Sequence, residues 1–126
     1  MANRSQKPNL PELRQQAASE EVSPQRLEEL SKINVELARI VAQNANASPG
    51  LLRIFSSSSD NIIRKNVAGN PNTPTEILLE LGAEFPRELL NNPVFSLLLL
   101  ENPNFVADIP LVTLISLLKL DEVPTQ

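Results

Sequence analysis

The chain has 126 residues and a formal net charge of −4. This length suits a single domain, and the negative charge argues against non-specific binding to nucleic acid, which needs clustered Lys and Arg. Because the sequence contains no Cys and no His, it has no disulfide, thiolate metal site, cysteine nucleophile or histidine base, and we predict no catalytic residue, metal, cofactor or small-molecule substrate.

The two ends of the sequence are polar. Residues 1–9 are predicted to form a disordered tail, and the polar stretch Met1–Pro8 is not expected to be a signal peptide. Residues 121–126 are predicted to fray. The longest apolar runs hold about ten residues, which is too short to cross a bilayer. We therefore expect a cytoplasmic protein that does not bind a membrane.

Prolines are predicted to start most of the helices. Proline lacks an N–H and has a fixed φ, so it is tolerated at the first helical position. A Ser or Thr that can cap a helix precedes three of the 11 prolines, as Ser23-Pro24, Ser48-Pro49 and Thr73-Pro74. These pairs are 25 residues apart. We expect a short helix after each, with Thr73 and Glu76 forming a capping box in the third.

Helical periodicity predicts which side chains face inward. Pro11 is expected to open a first helix, which reaches about Ala18. Asn34 and Asp60 are expected to cap longer helices. The predicted inward faces are Leu10, Leu13 and Ala17; Leu27 and Leu30; Val35, Leu37, Ala38, Val41 and Ala42; Leu51, Leu52 and Phe55; Ile62, Ile63, Val67 and Ala68; and Ile77, Leu78 and Leu81.

The last part of the sequence is richer in leucine. Asn92-Pro93 and Asn102-Pro103 enclose Leu97–Leu100, and a helix that is apolar nearly all round is expected to be buried on several sides. Pro110 then opens a helix over Leu111–Leu120. That helix either closes the core or leaves an apolar face open. Its predicted apolar residues are Leu111, Leu114, Ile115, Leu117, Leu118 and Leu120.

These patterns predict an all-α fold. A unit of 22–26 residues with two short helices is typical of an α-solenoid, in which stacked neighbours bury each other's apolar faces. We expect one helical-repeat domain over residues 10–120. Its predicted repeats are 23–44, 48–70 and 73–92, followed by a divergent segment, 93–120. The alternative is an irregular helical globule whose segments resemble each other by chance.

The repeated phrase resembles the variant leucine-rich repeat. Asn70-Pro71, Thr73-Pro74 and the leucines that follow match its first part, and Ile63–Ala68 matches its second helix. The resemblance covers Ser23–Pro103 and implies a right-handed, HEAT-like superhelix of α-helices alternating with shorter, often 3-10, helices. Related proteins can carry an N-terminal iron–sulfur cluster, which cannot be carried over to a chain without Cys. The family has no shared catalytic activity, and its repeats look like scaffold and interaction modules.

Two polar series recur at corresponding positions. Asn44, Asn70, Asn92 and Asn102 are expected to satisfy backbone groups in the turns between helices, with a ligand-binding ladder as the alternative. Arg39, Lys65 and Arg87 are expected to form a basic column on one layer of helices, where they could hold an acidic peptide. The alternative is a solvated face, on which Glu36 and Glu88 pair with these cations.

Three functions are compatible with the sequence. The first is a non-catalytic scaffold that binds a protein or peptide on a concave surface around Arg39, Lys65, Arg87, Glu36 and Glu88. The second is a structural module that forms a homodimer, or docks a fused domain, through the C-terminal apolar helix. The third is a nucleic-acid-binding helical array, which the net charge opposes. An enzyme is the class that the composition favours least.

Overall fold

The computed structural model describes residues 9–120, of which 71% are helical and none lie in a strand. The prediction of an all-α fold is therefore confirmed at this level. The predicted terminal tails lie outside the described residues, apart from Asn9. That residue caps the first helix: its side chain accepts a hydrogen bond from the Glu12 N–H at 3.0 Å, and the Glu12 carboxylate accepts one from the Asn9 N–H.

Nine α-helices and one 3-10 helix follow each other through the described residues. They are α1 Leu10–Ala18, α2 Pro24–Ser31, α3 Val35–Gln43, α4 Pro49–Phe55, α5 Asn61–Ala68, α6 Thr75–Leu81, α7 Pro86–Asn91, α8 Pro93–Glu101, the 3-10 helix Pro103–Asp108 and α9 Leu111–Lys119. Each of the ranges 23–44, 48–70 and 73–92 contains two helices. The short helices α2, α4 and α6 are α-helical, whereas the resemblance implied that such helices are often 3-10.

Most of the predicted caps are present. Ser23 and Ser48 accept hydrogen bonds from the N–H groups of Arg26 and Leu51 at 3.1 Å, with a proline next in each helix. Asn34 and Asp60 cap the longer helices α3 and α5. These side chains satisfy N–H groups that have no partner inside the helix.

The predicted cap at Thr73 is wrong. Helix α6 begins at Thr75 after Pro74, and no side chain caps it. The Thr73 hydroxyl instead donates to the carbonyl oxygen of Val67, near the end of α5, at 2.7 Å. Thr73 is buried, so its hydroxyl needs a partner, and the carbonyl of the preceding helix provides one.

The odd-numbered helices pack side by side in succession. Helix α3 lies against α1 and α5, α5 against α3 and α7, and α7 against α5 and α9. We call α1, α3, α5, α7 and α9 the odd row. The even-numbered helices α2, α4 and α6 connect its members. Helices α2 and α6 pack against both of their neighbours in sequence, α4 packs against α5, and α6 also packs against α9.

Three buried asparagines join successive members of the odd row. The Asn44 amide donates to the carbonyl oxygens of Ala17 and Ser19, both at 2.8 Å. The Asn70 amide donates to those of Ala42 and Asn44, at 2.8 and 2.9 Å. The Asn92 amide donates to those of Ala68 and Asn70, both at 3.0 Å. Each amide thus satisfies two carbonyl groups at the end of the preceding helix of the row.

The amide oxygens of these asparagines are also used. They accept the N–H groups of Asn46, Asn72 and Val94 at 2.8, 2.8 and 3.0 Å. Both N–H groups and the oxygen of each amide are therefore hydrogen-bonded. As predicted, these side chains satisfy backbone groups in the turns between helices, and no N–H remains for a ligand. Asn102 departs from the series, because it is exposed and caps the 3-10 helix.

The interior is aliphatic and divides into two clusters. The larger extends from Ala17 to Leu81, and the smaller joins Leu78, Leu79, Leu89, Phe95, Phe105 and Ile109. Helix α6 contributes to both. Val35 and Ile62, which were predicted to face inward, are exposed, because each lies in the first turn of its helix, beside the cap and away from the neighbouring helices.

Gly82 lies at a crowded junction of α6, α7 and α9. A Cβ atom there would overlap the Leu89 side chain and come within 2.8 Å of the Thr113 side chain. The backbone of Gly82 is right-handed, with φ −61°, so its role is close packing rather than an unusual turn. Gly82 directly follows Leu81, the last residue of α6.

The leucine-rich end is more exposed than predicted. In α8, Leu97 and Leu100 are 52% and 80% exposed, so the expectation of burial on several sides is wrong. Helix α8 buries Phe95, whose ring packs edge-on against that of Phe105 with 6.3 Å between the ring centroids. The helix packs mainly on α7 and the 3-10 helix. Leu98 and Leu99 are partly buried against the smaller cluster, and with neighbours on so few sides Leu97 and Leu100 stay in contact with solvent.

Replacing Asn70 tests the importance of the asparagine bridges. Asn70→Asp preserves the shape of the side chain but brings a carboxylate up to two buried carbonyl oxygens and removes both donors. We expect the free energy of unfolding to fall by about 3 kcal/mol or more, as measured by urea denaturation at pH 7. Asn91→Asp, at an exposed position of α7, is the matched control and should change it by less than about 0.5 kcal/mol. Equal effects would contradict the role given to Asn70.

Candidate functional site

Three arginines on the odd row reach acidic residues at the start of the next helix in the row. Arg14 Nε lies 2.7 Å from Glu36 Oε2, Arg39 Nε lies 2.9 Å from Asp60 Oδ2, and Arg64 Nη2 lies 2.7 Å from Glu84 Oε2. Glu36 is in the first turn of α3, and Asp60 is the N-cap of α5. Glu84 lies just before α7. A helix N-terminus favours negative charge, so each acid is attracted by both the helix and the arginine.

The predicted basic column is distributed over three adjacent helices. Arg39 lies on α3, Lys65 on α5 and Arg87 on α7, which pack in succession. Arg39 is engaged with Asp60. Lys65 Nζ lies 3.7 Å from Glu88 Oε2, a looser pair, and Arg87 is exposed.

Glu36 pairs with a residue outside the predicted basic column. The solvated-face alternative paired Glu36 with a cation of that column, and this is wrong, because its carboxylate accepts from Arg14 on the preceding helix of the odd row. Side chains on neighbouring packed helices approach each other closely. Glu36 therefore pairs with Arg14 on α1, while Arg39, on the same helix as Glu36, pairs with Asp60 on the other side. Glu88 does pair with Lys65, as expected.

Sequence reasoning missed the arginine pairs. Arg14, Arg39 and Arg64 recur at intervals of 25 residues, the same interval that separates the predicted caps. That spacing was a usable signal. The acids carried a similar signal, because Glu36, Asp60 and Glu84 recur at intervals of 24 residues, although they occupy different positions relative to the helices that they precede or begin.

A groove runs along the exposed side of the odd row. Three cavities of about 150, 330 and 350 Å³ follow each other. Gln43 lines both the first and the second, and Lys65 and Glu88 line both the second and the third. Because neighbouring cavities share walls, we treat them as one groove and call it the odd-row groove.

The middle of the odd-row groove is polar and already hydrogen-bonded. Gln43 Nε2 donates to Asn66 Oδ1 at 3.3 Å, and Asn66 Nδ2 donates to the carbonyl oxygen of Arg39 at 2.9 Å. Gly69 also lines this section, and a Cβ there would meet only the Asn66 carbonyl oxygen, at 3.8 Å. The groove therefore has open space above Gly69 between fixed amide groups.

The end of the odd-row groove near α7 combines charge with apolar surface. Phe85, Pro86 and Leu120 line it together with two cations, Lys65 and Arg87, and two carboxylates, Glu84 and Glu88. Phe85 and Leu120 are partly buried, so each presents some hydrocarbon to the groove. This section can accept an aliphatic side chain next to a carboxylate.

A second surface is apolar and lies on α9. Leu111, Val112, Ile115 and Leu118 are between 44% and 71% exposed, whereas Thr113 is fully buried. Thr113 and Ser116 donate to the carbonyl oxygens of Leu79 and Ala83, at 2.6 and 2.7 Å. The predicted apolar face is thus split: Leu114 and Leu117 pack against the smaller core cluster, whereas Leu111, Ile115 and Leu118 face solvent.

Asp60 has the best-defined electrostatic environment. The hydrogen bond from Arg39 lowers the pKa of its carboxyl group, burial opposes this, and the N–H groups of Ile63 and Ile62 lower the pKa further. The Asp60 side chain is 13% exposed. A lowered pKa in the folded state means that the ionised carboxylate favours folding. This contribution is present above the ordinary carboxyl pKa and is lost as pH falls through the lowered one.

Acid titration of an Asp60 variant tests this pairing. Asp60→Asn can still cap α5 but carries no charge for Arg39. We expect the free energy of unfolding of the wild type to fall more steeply than that of Asp60→Asn between about pH 5 and pH 2, as measured by urea denaturation. Asp108→Asn, at an exposed position, should follow the wild type. Parallel curves for Asp60→Asn and the wild type would contradict the assignment.

The described residues show no other candidate centre. Among residues 9–120 no three acidic side chains lie close enough together to hold a metal ion. No helix in that range combines the length and apolar character that a membrane crossing needs. The sequence matches no protein-family model, and no curated protein or solved structure matches it either.

Proposed function

We propose that the chain is a non-catalytic protein-interaction module built as a right-handed α-solenoid of the variant leucine-rich repeat kind. The successive packing of the odd row supports this architecture. So does the repetition of one asparagine bridge at three places, because a repeated contact is what stacked units of similar sequence produce. The catalytic class has no support in a sequence without His or Cys.

The ligand that we propose is an extended segment of a partner protein, lying in the odd-row groove. The observation that carries this proposal is the sharing of lining residues between the three cavities. A groove that passes over several helices suits a chain better than a compact small molecule. Its amide-lined middle, formed by Gln43 and Asn66, offers hydrogen-bonding groups for a peptide backbone.

The groove near α7 holds two cations and two carboxylates, Glu84 and Glu88. Because Arg64 already pairs with Glu84, we infer that the ligand is an acidic segment with an aliphatic residue. Lys65 is held only loosely by Glu88, and Arg87 is exposed beside Phe85 and Pro86. A peptide carboxylate could therefore bind these two cations, with a neighbouring aliphatic side chain on Phe85. Arg39 contributes less to binding of the acidic segment than the sequence suggested, because Arg39 would have to release Asp60 before it could bind a carboxylate of the peptide.

Nucleic-acid binding is disfavoured because the regularly spaced arginines are already paired with carboxylates. Arg14, Arg39 and Arg64 are each paired with a carboxylate on the next helix of the odd row, so their charges are compensated. The net charge of −4 opposes binding further. A cytoplasmic location remains a prediction from composition.

Peptide selection against the groove tests the proposed function. A random peptide library selected on the wild-type protein should yield acidic segments that contain an aliphatic residue. The double variant Lys65→Glu/Arg87→Glu should bind the selected peptides at least about tenfold more weakly, because two attractive charges become repulsive. Fluorescence anisotropy at low salt measures the change in dissociation constant.

The control for that experiment carries the same change of charge away from the groove. Lys32, directly after α2, and Arg53, on α4, form exposed ion pairs, whose loss costs little stability. Lys32→Glu/Arg53→Glu should keep wild-type affinity. If both double variants bind the peptides equally well, the odd-row groove is not the binding site. If selection yields no acidic peptide, the proposed ligand class is wrong.

A further inference from the structure

The bridging asparagines allow successive helices of the odd row to be compared position by position. Asn44 follows α3 and Asn70 follows α5, and each is hydrogen-bonded to the end of the preceding helix of the row. Gln43 corresponds to Gly69, because each directly precedes a bridging asparagine. A residue with a long amide side chain is thus replaced, one helix later, by a residue with no side chain.

Between α3 and α5, side-chain amides close the floor of the odd-row groove. Gln43 Nε2 donates to Asn66 Oδ1 at 3.3 Å, and Asn66 Nδ2 donates to the carbonyl oxygen of Arg39 at 2.9 Å. A chain of hydrogen-bonded amides therefore crosses from one helix of the row to the next, and it is complete within the protein.

Between α5 and α7, the same positions leave the groove open. Glu88 corresponds to Asn66, because each lies four residues before a bridging asparagine. Gly69 has no side chain to reach Glu88, and a Cβ atom at Gly69 would meet only the Asn66 carbonyl oxygen, at 3.8 Å. We call the cavity of about 330 Å³ at this place the Gly69 hollow; its lining residues are Gln43, Lys65, Asn66, Gly69 and Glu88.

The Gly69 hollow presents a donor and an acceptor side by side. Lys65 Nζ and Glu88 Oε2 are 3.7 Å apart, which is longer than a hydrogen bond. The Lys65 side chain is 54% exposed and that of Glu88 is 27% exposed, so both can be reached from the groove. Glu88 would repel a carboxylate, and Lys65 would repel an ammonium group. A neutral group that both donates and accepts satisfies the two side chains together.

We propose that the Gly69 hollow binds the side-chain carboxamide of a Gln or Asn in the partner segment. The carboxamide N–H donates to Glu88, and its oxygen accepts from Lys65, whose ammonium group has three donors. A backbone amide fits less well, because the N–H and C=O of a trans peptide point in opposite directions. A carboxamide carries both groups on one carbon atom.

The ligand would thereby supply the group that Gln43 supplies at the preceding junction of helices. This inference rests on the proposed function, because it assumes that the partner segment lies in the odd-row groove. It adds a requirement for the ligand sequence. A Gln or Asn should lie near the acidic residue that binds Arg87 at the α7 end of the groove.

Filling the hollow from within tests this inference. Gly69→Gln adds the missing side chain where the backbone is right-handed, with φ −92°, so no backbone strain is expected. Peptides selected on the wild type should contain a Gln or Asn, and Gly69→Gln should bind them at least about tenfold more weakly, as measured by fluorescence anisotropy. Gly50→Gln is the matched control and should keep wild-type affinity, because Gly50 is an exposed residue of α4 with no atom within 4 Å of an added Cβ.

Changes in the peptide separate recognition of the carboxamide from simple blocking of the groove. Replacing the Gln or Asn of a selected peptide by Glu should weaken binding to the wild type about tenfold or more, because the hydrogen bond to Glu88 is replaced by repulsion. The same replacement should have little effect on binding to Gly69→Gln, whose hollow is already filled. Glu88→Gln should remove most of the penalty, since the repelling charge is gone.

The hollow can also be tested without a peptide. In Gly69→Gln the new carboxamide should donate to Glu88, whereas in Gly69→Glu the new carboxylate should be repelled by it. We expect Gly69→Gln to unfold at a higher urea concentration than Gly69→Glu. The difference should shrink when both variants also carry Glu88→Gln. Circular dichroism confirms that each variant is folded before denaturant is added.

Failure of this inference is distinguishable from failure of the proposed function. Acidic peptides that bind the groove without a Gln or Asn would overturn the inference alone, and so would unchanged affinity for Gly69→Gln. Equal urea midpoints of Gly69→Gln and Gly69→Glu would overturn it as well. If no selected peptide is sensitive to Lys65→Glu/Arg87→Glu, the odd-row groove is not the binding site, and both proposals fail.

Discussion

The structure depends on a buried amide that joins one helix of the odd row to the next. Asn44, Asn70 and Asn92 each hold two carbonyl groups of the preceding helix end while their own oxygen fixes the following turn. A helix end leaves several carbonyl groups without partners, and a buried carbonyl without one costs about 1–3 kcal/mol. The bridge therefore allows helices of six to nine residues, which are marginal alone, to end inside the protein.

The arginine pairs also join successive helices of the odd row, but on the surface of the protein. Arg14, Arg39 and Arg64 each connect a helix of the odd row to the beginning of its successor. Exposed pairs contribute little individually, so their main effect is on the character of the surface. By compensating the regular cations, they leave Lys65 and Arg87 as the more available positive charges of the groove. The buried asparagine bridges and the available cations Lys65 and Arg87 thus lie on the same row of helices.

Sequence reasoning predicted the parts of this fold that follow from local rules. The all-α class, most caps and the inward faces of α2 and α4 follow from proline position and helical period. It failed where a tertiary neighbour decided the outcome. Thr73 looked like a cap but bonds to α5, and Leu97–Leu100 looked buried but α8 has few neighbours. For the candidate site, the period placed Arg39, Lys65 and Arg87 on successive helices, but it could not show that Asp60 would engage Arg39.

The central claim is that the asparagine amides are buried bridges between successive helices. The most direct measurement is hydrogen exchange of the side-chain amide protons by NMR, with Asn70 and Asn92 compared to the exposed Asn91. If the bridges hold, the amide protons of Asn70 and Asn92 should exchange only through opening of the fold, orders of magnitude more slowly than those of Asn91. Exchange of all three at the same rate would contradict the account.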